Sequence, residues 1–119
     1  MISFKGRINK KTFLIKSLII GLIQFLNLVV ISYVQRTLAS GTDAGTSILS
    51  LPISLTSLVI SIGVFVFSVS ITIKRWHDLG KSGWWTLVAI IPIVNIVVWF
   101  YLIFKNGDVG NNNYGSPQQ

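Results

Sequence analysis

From Ile48 to Ile73 the chain runs 26 residues without one charged side chain. As a helix this stretch would measure about 39 Å, longer than the ~30 Å diameter of a small domain. About 20 apolar residues already span the hydrocarbon core of a bilayer. Two further apolar runs flank it, Ser17–Gln35 and Trp84–Phe104. Charged residues make up 11% of the 119-residue chain, against about 25% in soluble domains, so little of the surface is suited to water. The pattern predicts an all-α fold: an integral membrane bundle of three transmembrane helices near residues 12–36, 48–76 and 83–104. A short basic loop and a polar C-terminal tail complete one domain over 1–119.

The first sixteen residues hold Lys5, Arg7, Lys10, Lys11 and Lys16 and no acid. A signal peptide also begins basic and continues apolar. The apolar run here exceeds the usual ~7–15 residues and meets no clear small-x-small site before Ala39, so a retained helix is expected. Gly6 suggests a bend and Asn9 an N-cap. Residues 36–47, with Gly41, Asp43 and Gly45, read as a loop. Pro52 is expected in the first turn of the second helix, where proline is tolerated. Pro92 is expected to kink the third, with a re-entrant hairpin turning there as the competing geometry.

Residues 74–85 gather the chemically diverse side chains. Gly80 is placed to end the second helix in a left-handed conformation, and Ser82 to cap the next. Lys74, Arg75 and Lys81 lie four and three residues from Asp78, in reach if the helix continues. Asp78 is the only acid among the nine charged residues expected on one side, and is predicted to gather Arg75, Lys74 and Arg7 into one interfacial cluster. Residues 105–119 are rich in turn formers, and Asp108 with its asparagines lacks the spacing of a calcium loop.

The net charge is +7. Nucleic acid is not the expected partner, because the cations flank apolar spans; anionic lipid head groups are. Three spans would put eight of the ten Lys and Arg on one side, which makes the N-terminus cytoplasmic and the tail external. A hairpin at Pro92 would return the tail to the cytoplasm. Cysteine is absent, so disulfides and thiolate metal sites are excluded, and no cofactor is expected. His77 and Asp78 are about 100° apart on a helix and do not form a base with its orienter, so no enzyme activity is expected.

The same residues carry a resemblance to the DUF805 family of small bacterial inner-membrane proteins, domains of unknown function. Phe4, Gly6 and Arg7 resemble its Phe-x-Gly-Arg opening, with Lys10 or Lys11 where arginine is usual. Lys74, Arg75, His77, Asp78, Gly80, Ser82, Gly83 and Trp84 resemble its Arg-Arg-x-His-Asp-x-Gly-x-Ser-Gly-Trp signature. Gly110, Asn112, Tyr114 and Gly115 resemble its Gly-x-Asn-x-Tyr-Gly tail. Trp76 stands where leucine is commoner, and Asn95 where glycine is expected. The resemblance implies a membrane location and no activity.

The expected function is a non-enzymatic membrane module binding anionic lipid, or a membrane protein partner, through a basic, aromatic cytoplasmic face. Its contact residues are expected to be Arg7, Lys10, Lys11, Lys74, Arg75, Trp76, His77, Asp78, Lys81, Trp84 and Trp85. One alternative is a small transport or pore-forming homo-oligomer, built around the helical stripe of Ser54, Ser57, Ser61, Ser68 and Thr72. Another is a lipid head-group enzyme using His77 and Asp78.

Overall fold

The computed structural model describes residues 5–41 and 44–117, with the side chains of all but 44–47. Phe4 of the opening block and Asp43 of the first loop lie outside the described residues. Three α-helices and one 3-10 helix follow in order: α1 Lys10–Ser40, α2 Ala44–Asp78, the 3-10 helix Gly83–Ile90, and α3 Pro92–Phe104. Among the described residues there is no strand, only an isolated bridge between Asn112 and Gly115.

Helix α1 starts where Asn9 places its side chain over the first turn. Asn9 Oδ1 accepts from the Thr12 amide at 2.7 Å, the N-cap geometry that satisfies a free helix donor. The loop expected over 36–47 is shorter, because helix continues to Ser40 and resumes at Ala44. Pro52 consequently lies inside α2 rather than in its first turn. Pro52 leaves the carbonyl of Ile48 without its helical donor, a loss that apolar helices tolerate; Thr56 Oγ1 separately bonds back to Pro52 O at 2.8 Å.

The end of α2 is fixed by glycine. Gly80 has φ +74°, its amide donates to His77 O at 3.0 Å, and the Lys81 amide to Trp76 O at 2.9 Å. These are the two bonds of a Schellman terminus. Ser82 then caps the 3-10 helix, accepting from the Trp84 amide at 3.3 Å.

The third apolar run is not one kinked helix. Ile91 is extended (φ −75°, ψ 119°), as the residue before proline prefers, and it separates the 3-10 helix from α3. Pro92 opens α3 at its first position, where its missing N–H costs nothing.

Packing divides the chain into two compact units, Met1–Leu18 with Val66–Gln119, and Ile19–Phe65. In the second, Asn27 Nδ2 donates to Ser57 O at 3.3 Å and Ser61 Oγ at 3.1 Å, and Gln24 Nε2 to Ser61 Oγ at 3.3 Å. Polar side chains in apolar helices commonly find each other this way. The best apolar window of α1 has 0% of its residues buried inside the fold and that of α2 11%, which is the reverse of a soluble core helix.

In the first unit, Ile8, Phe13, Ile71, Trp76, Leu79, Leu102 and Ile103 form the buried apolar core. The unit holds both the N-terminal segment and the tail. The Asp108 amide donates to Asp78 O at 2.7 Å. Residues 84–104 therefore return to their starting point. Two of the three expected spans are present as helices long and apolar enough to cross a membrane, whereas the third run yields only the shorter apolar helix Pro92–Phe104.

Candidate functional site

The core of the first unit encloses five polar residues: Arg7, Ser70, Arg75, His77 and Asp78. Burying a charge is costly unless it is paired and hydrogen-bonded. Here the Asp78 carboxylate is shared by two guanidiniums. Arg7 Nη2 lies 3.0 Å from Asp78 Oδ1, and Arg75 Nη1 pairs with Oδ2; both arginine side chains are 0% exposed.

Arg7 uses all five N–H donors that a guanidinium offers. Nε donates to Asp78 Oδ1 at 3.0 Å. Nη1 donates to the carbonyls of Gly110 at 2.8 Å and Gly115 at 3.0 Å. Nη2 donates to Asp108 O at 2.8 Å and more weakly to Asp78 O at 3.4 Å. Arg75 adds three backbone carbonyls to its bond with Asp78. Nε reaches Leu102 O at 2.7 Å and Nη1 reaches Ile8 O at 3.2 Å. Nη2 bonds Lys105 O. The carbonyls of Leu102 and Lys105 lie at the C-terminus of α3, where carbonyls lack helical partners and a cation is favoured. One clasp thus fastens the N-terminal segment, the end of α2, the end of α3 and the tail.

The predicted gathering of Arg7 and Arg75 by Asp78 is present. Lys74 is not part of it; its carbonyl accepts from the Ile8 amide at 3.4 Å. Both carboxylate oxygens are already taken by forked guanidiniums, which also reach carbonyls that an ammonium would leave unpaired. Lys81 does not pair with Asp78 either, because the left-handed Gly80 ends the helix between them. Its Nζ sits 5.2 Å from the Trp85 ring centroid instead.

His77 stacks on Tyr114 at 3.9 Å and 3°, with Nδ1 3.0 Å from Gly6 O. Asn112 Nδ2 donates to His77 O at 2.8 Å and Asp108 Oδ2 at 3.0 Å. His77, Asp78 and Ser82 therefore each have different partners. Trp76 packs between Trp85 and Tyr101, at 5.9 and 5.8 Å.

The eleven expected contact residues fall into three groups. Arg7, Arg75, Trp76, His77 and Asp78 are buried. Lys10, Lys11, Trp84 and Trp85 are exposed, and Lys74 and Lys81 half-buried. Sequence reasoning missed Gly107. A Cβ there would lie 2.6 Å from Asp78 Cγ and 3.1 Å from its carbonyl, so only glycine lets the tail backbone pass the carboxylate. The density of glycine in the tail was the available signal.

Two membrane-length apolar helices and a polar clasp that consumes its own charges define a small helical membrane-associated protein. The chain belongs to the family described as Protein of unknown function (DUF805), matching it over residues 1–116. It is 29% identical over 69 residues to the inner membrane protein YhaI of Escherichia coli (strain K12), covering 58% of each chain. It is 24% identical over 114 residues to the inner membrane protein YhaH of the same organism, covering 96% of this chain and 85% of that one. The match thus spans 58% of YhaI's length. No solved structure matches. The resemblance read from the three sequence blocks is a family membership, and the family is one of inner-membrane proteins of unknown function.

Proposed function

We propose that this chain is a non-enzymatic module of the bacterial inner membrane that holds anionic lipid head groups on a rim of lysines and tryptophans. It crosses the bilayer twice, through α1 and α2, and residues 83–104 enter as a re-entrant hairpin. The lengths support this. The eight-residue 3-10 helix rises about 16 Å at 2.0 Å per residue, and the thirteen residues of α3 about 20 Å. Each limb suits one leaflet of a ~30 Å core. Lys105 then shares a side with the eight cations already counted, leaving Arg36 alone opposite, and the cation excess favours a cytoplasmic N-terminus.

The observation that carries the lipid reading is Lys81 over Trp85, beside a Trp84 that is 77% exposed. Tryptophan favours the head-group layer, and each lysine near an anionic surface adds about 1 kcal/mol. Lys10, Lys11 and Lys74 extend the rim. The pore alternative draws less support, because the Ser61 hydroxyl of its stripe is bonded to Asn27 and Gln24.

The test is native mass spectrometry of protein ejected from nanodiscs of equal phosphatidylglycerol and phosphatidylcholine. The parent should carry phosphatidylglycerol in excess, and Lys10→Gln/Lys11→Gln/Lys81→Gln should lose that excess. Bound lipid in the bulk proportion on the parent would refute the lipid reading and leave a membrane protein partner for the same face.

A further inference from the structure

Beyond the Asp78 carboxylate, Arg7 is closed off by neutral oxygens. Three of its five donors end on carbonyls of one segment, those of Asp108, Gly110 and Gly115. Lys10 is met the same way, its Nζ 2.7 Å from Asn106 Oδ1. The Asp108 carboxylate, held by Asn112, would leave with this segment, so without it two guanidiniums face one carboxylate and one positive charge is in surplus; the amide oxygens that remain on them solvate a charge without neutralising it. The clasp also lies at the end of the apolar span Ile48–Asp78, where lipid phosphates would be found.

We propose that residues 106–117 are a latch whose own oxygens occupy a phosphate site formed by Arg7 and Lys10, and that a phosphate-bearing ligand displaces it. This rests on the anionic-lipid reading above and names the place on the chain where the phosphate is taken.

The latch is built to open. Asn106, Asp108, Val109, Gly110, Asn111 and Asn113 are exposed. Polar contacts and one ring stack hold the segment: the Asp108 amide on Asp78 O, Asn112 on His77 O, and Tyr114 on His77. Segments with few buried apolar contacts open before the rest of a fold. Opening frees three forked donors that match a phosphate in geometry and charge. Nε stays on Asp78, so the floor of the site persists.

Asn112→Ala tests this without changing net charge. It removes the Asn112 bonds to His77 O, to Asp108 and from the Tyr114 amide. Apparent affinity scales with the open fraction, so a latch opened about tenfold more often should raise affinity for phosphatidylglycerol about tenfold. In the parent, amide exchange at Asp108, Asn112, Tyr114 and Gly115 should quicken in phosphatidylglycerol nanodiscs relative to phosphatidylcholine ones. A third arm adds inorganic phosphate to phosphatidylcholine nanodiscs. Quickening there assigns the site to free phosphate; quickening with phosphatidylglycerol alone assigns it to lipid. Unchanged exchange in both arms overturns the latch, as does an Asn112→Ala tail that exchanges faster with no gain in affinity. Phosphatidylglycerol enrichment without tail loosening would leave the lysine rim standing and the latch refuted.

Discussion

Replacing Asp78 by asparagine changes one oxygen for an amide nitrogen at the centre of the clasp. The side chain is 6% exposed and faces two guanidiniums that are 0% exposed. Asparagine keeps one acceptor, enough for Arg7 Nε. Its NH2 would then face Arg75 Nη1, donor against donor. Removing one partner of a buried pair costs about 3–5 kcal/mol. The carbonyls on both arginines remain and continue to solvate them, so the lower end, about 3 kcal/mol, is expected. An exposed pair three residues apart would lose only about 0.2–0.5 kcal/mol. Equilibrium unfolding in mixed micelles, read by tryptophan fluorescence, separates the two. A loss for Asp78→Asn below about 0.5 kcal/mol would show that the clasp does not hold the first unit together.

Arg7→Lys keeps the charge and offers three donors for five acceptors, so at least two tail or α2 carbonyls lose their partner. A loss of about 1–3 kcal/mol is expected, with faster amide exchange at Gly115; parent-like exchange there would count against the fork. Gly107→Ala drives a methyl into the Asp78 carboxylate and should cost about 1–3 kcal/mol in the same unfolding assay. Gly110→Ala meets no atom within 4 Å but has φ +74°, so only the left-handed cost of about 1–2 kcal/mol is expected; the reverse order of the two glycines would contradict the packing described.

Local signals in the sequence were read correctly where one residue type suffices. Asn9, Gly80 and Ser82 each act through their own backbone neighbourhood, and the lone acid Asp78 had to find cations. What the sequence concealed is made of backbone. Arg7 and Arg75 are satisfied mostly by carbonyls of Ile8, Leu102, Lys105, Asp108, Gly110 and Gly115, and every residue carries a carbonyl, so composition marks none of them. The same holds for Pro92. Its fixed φ fits the middle of a kinked helix or the first position of a new one, and the choice depended on where Ile91 could turn. Lys74 was expected in the clasp because charge and spacing fit; only the competition between forked and point cations excludes it.

The central claim is that residues 84–104 return and bring the tail to the N-terminal segment at Asp78. Because the chain has no cysteine, single cysteines report sidedness directly. Lys11→Cys, Arg36→Cys and Asn113→Cys are labelled with an impermeant maleimide in right-side-out and inside-out membrane vesicles. Cysteines at 11 and 113 should both react in inside-out vesicles and be protected in right-side-out ones, with the cysteine at 36 behaving oppositely. A cysteine at 113 that labels together with the one at 36 would mean that the third run crosses the membrane, and that the clasp between Arg7, Asp78 and the tail does not form.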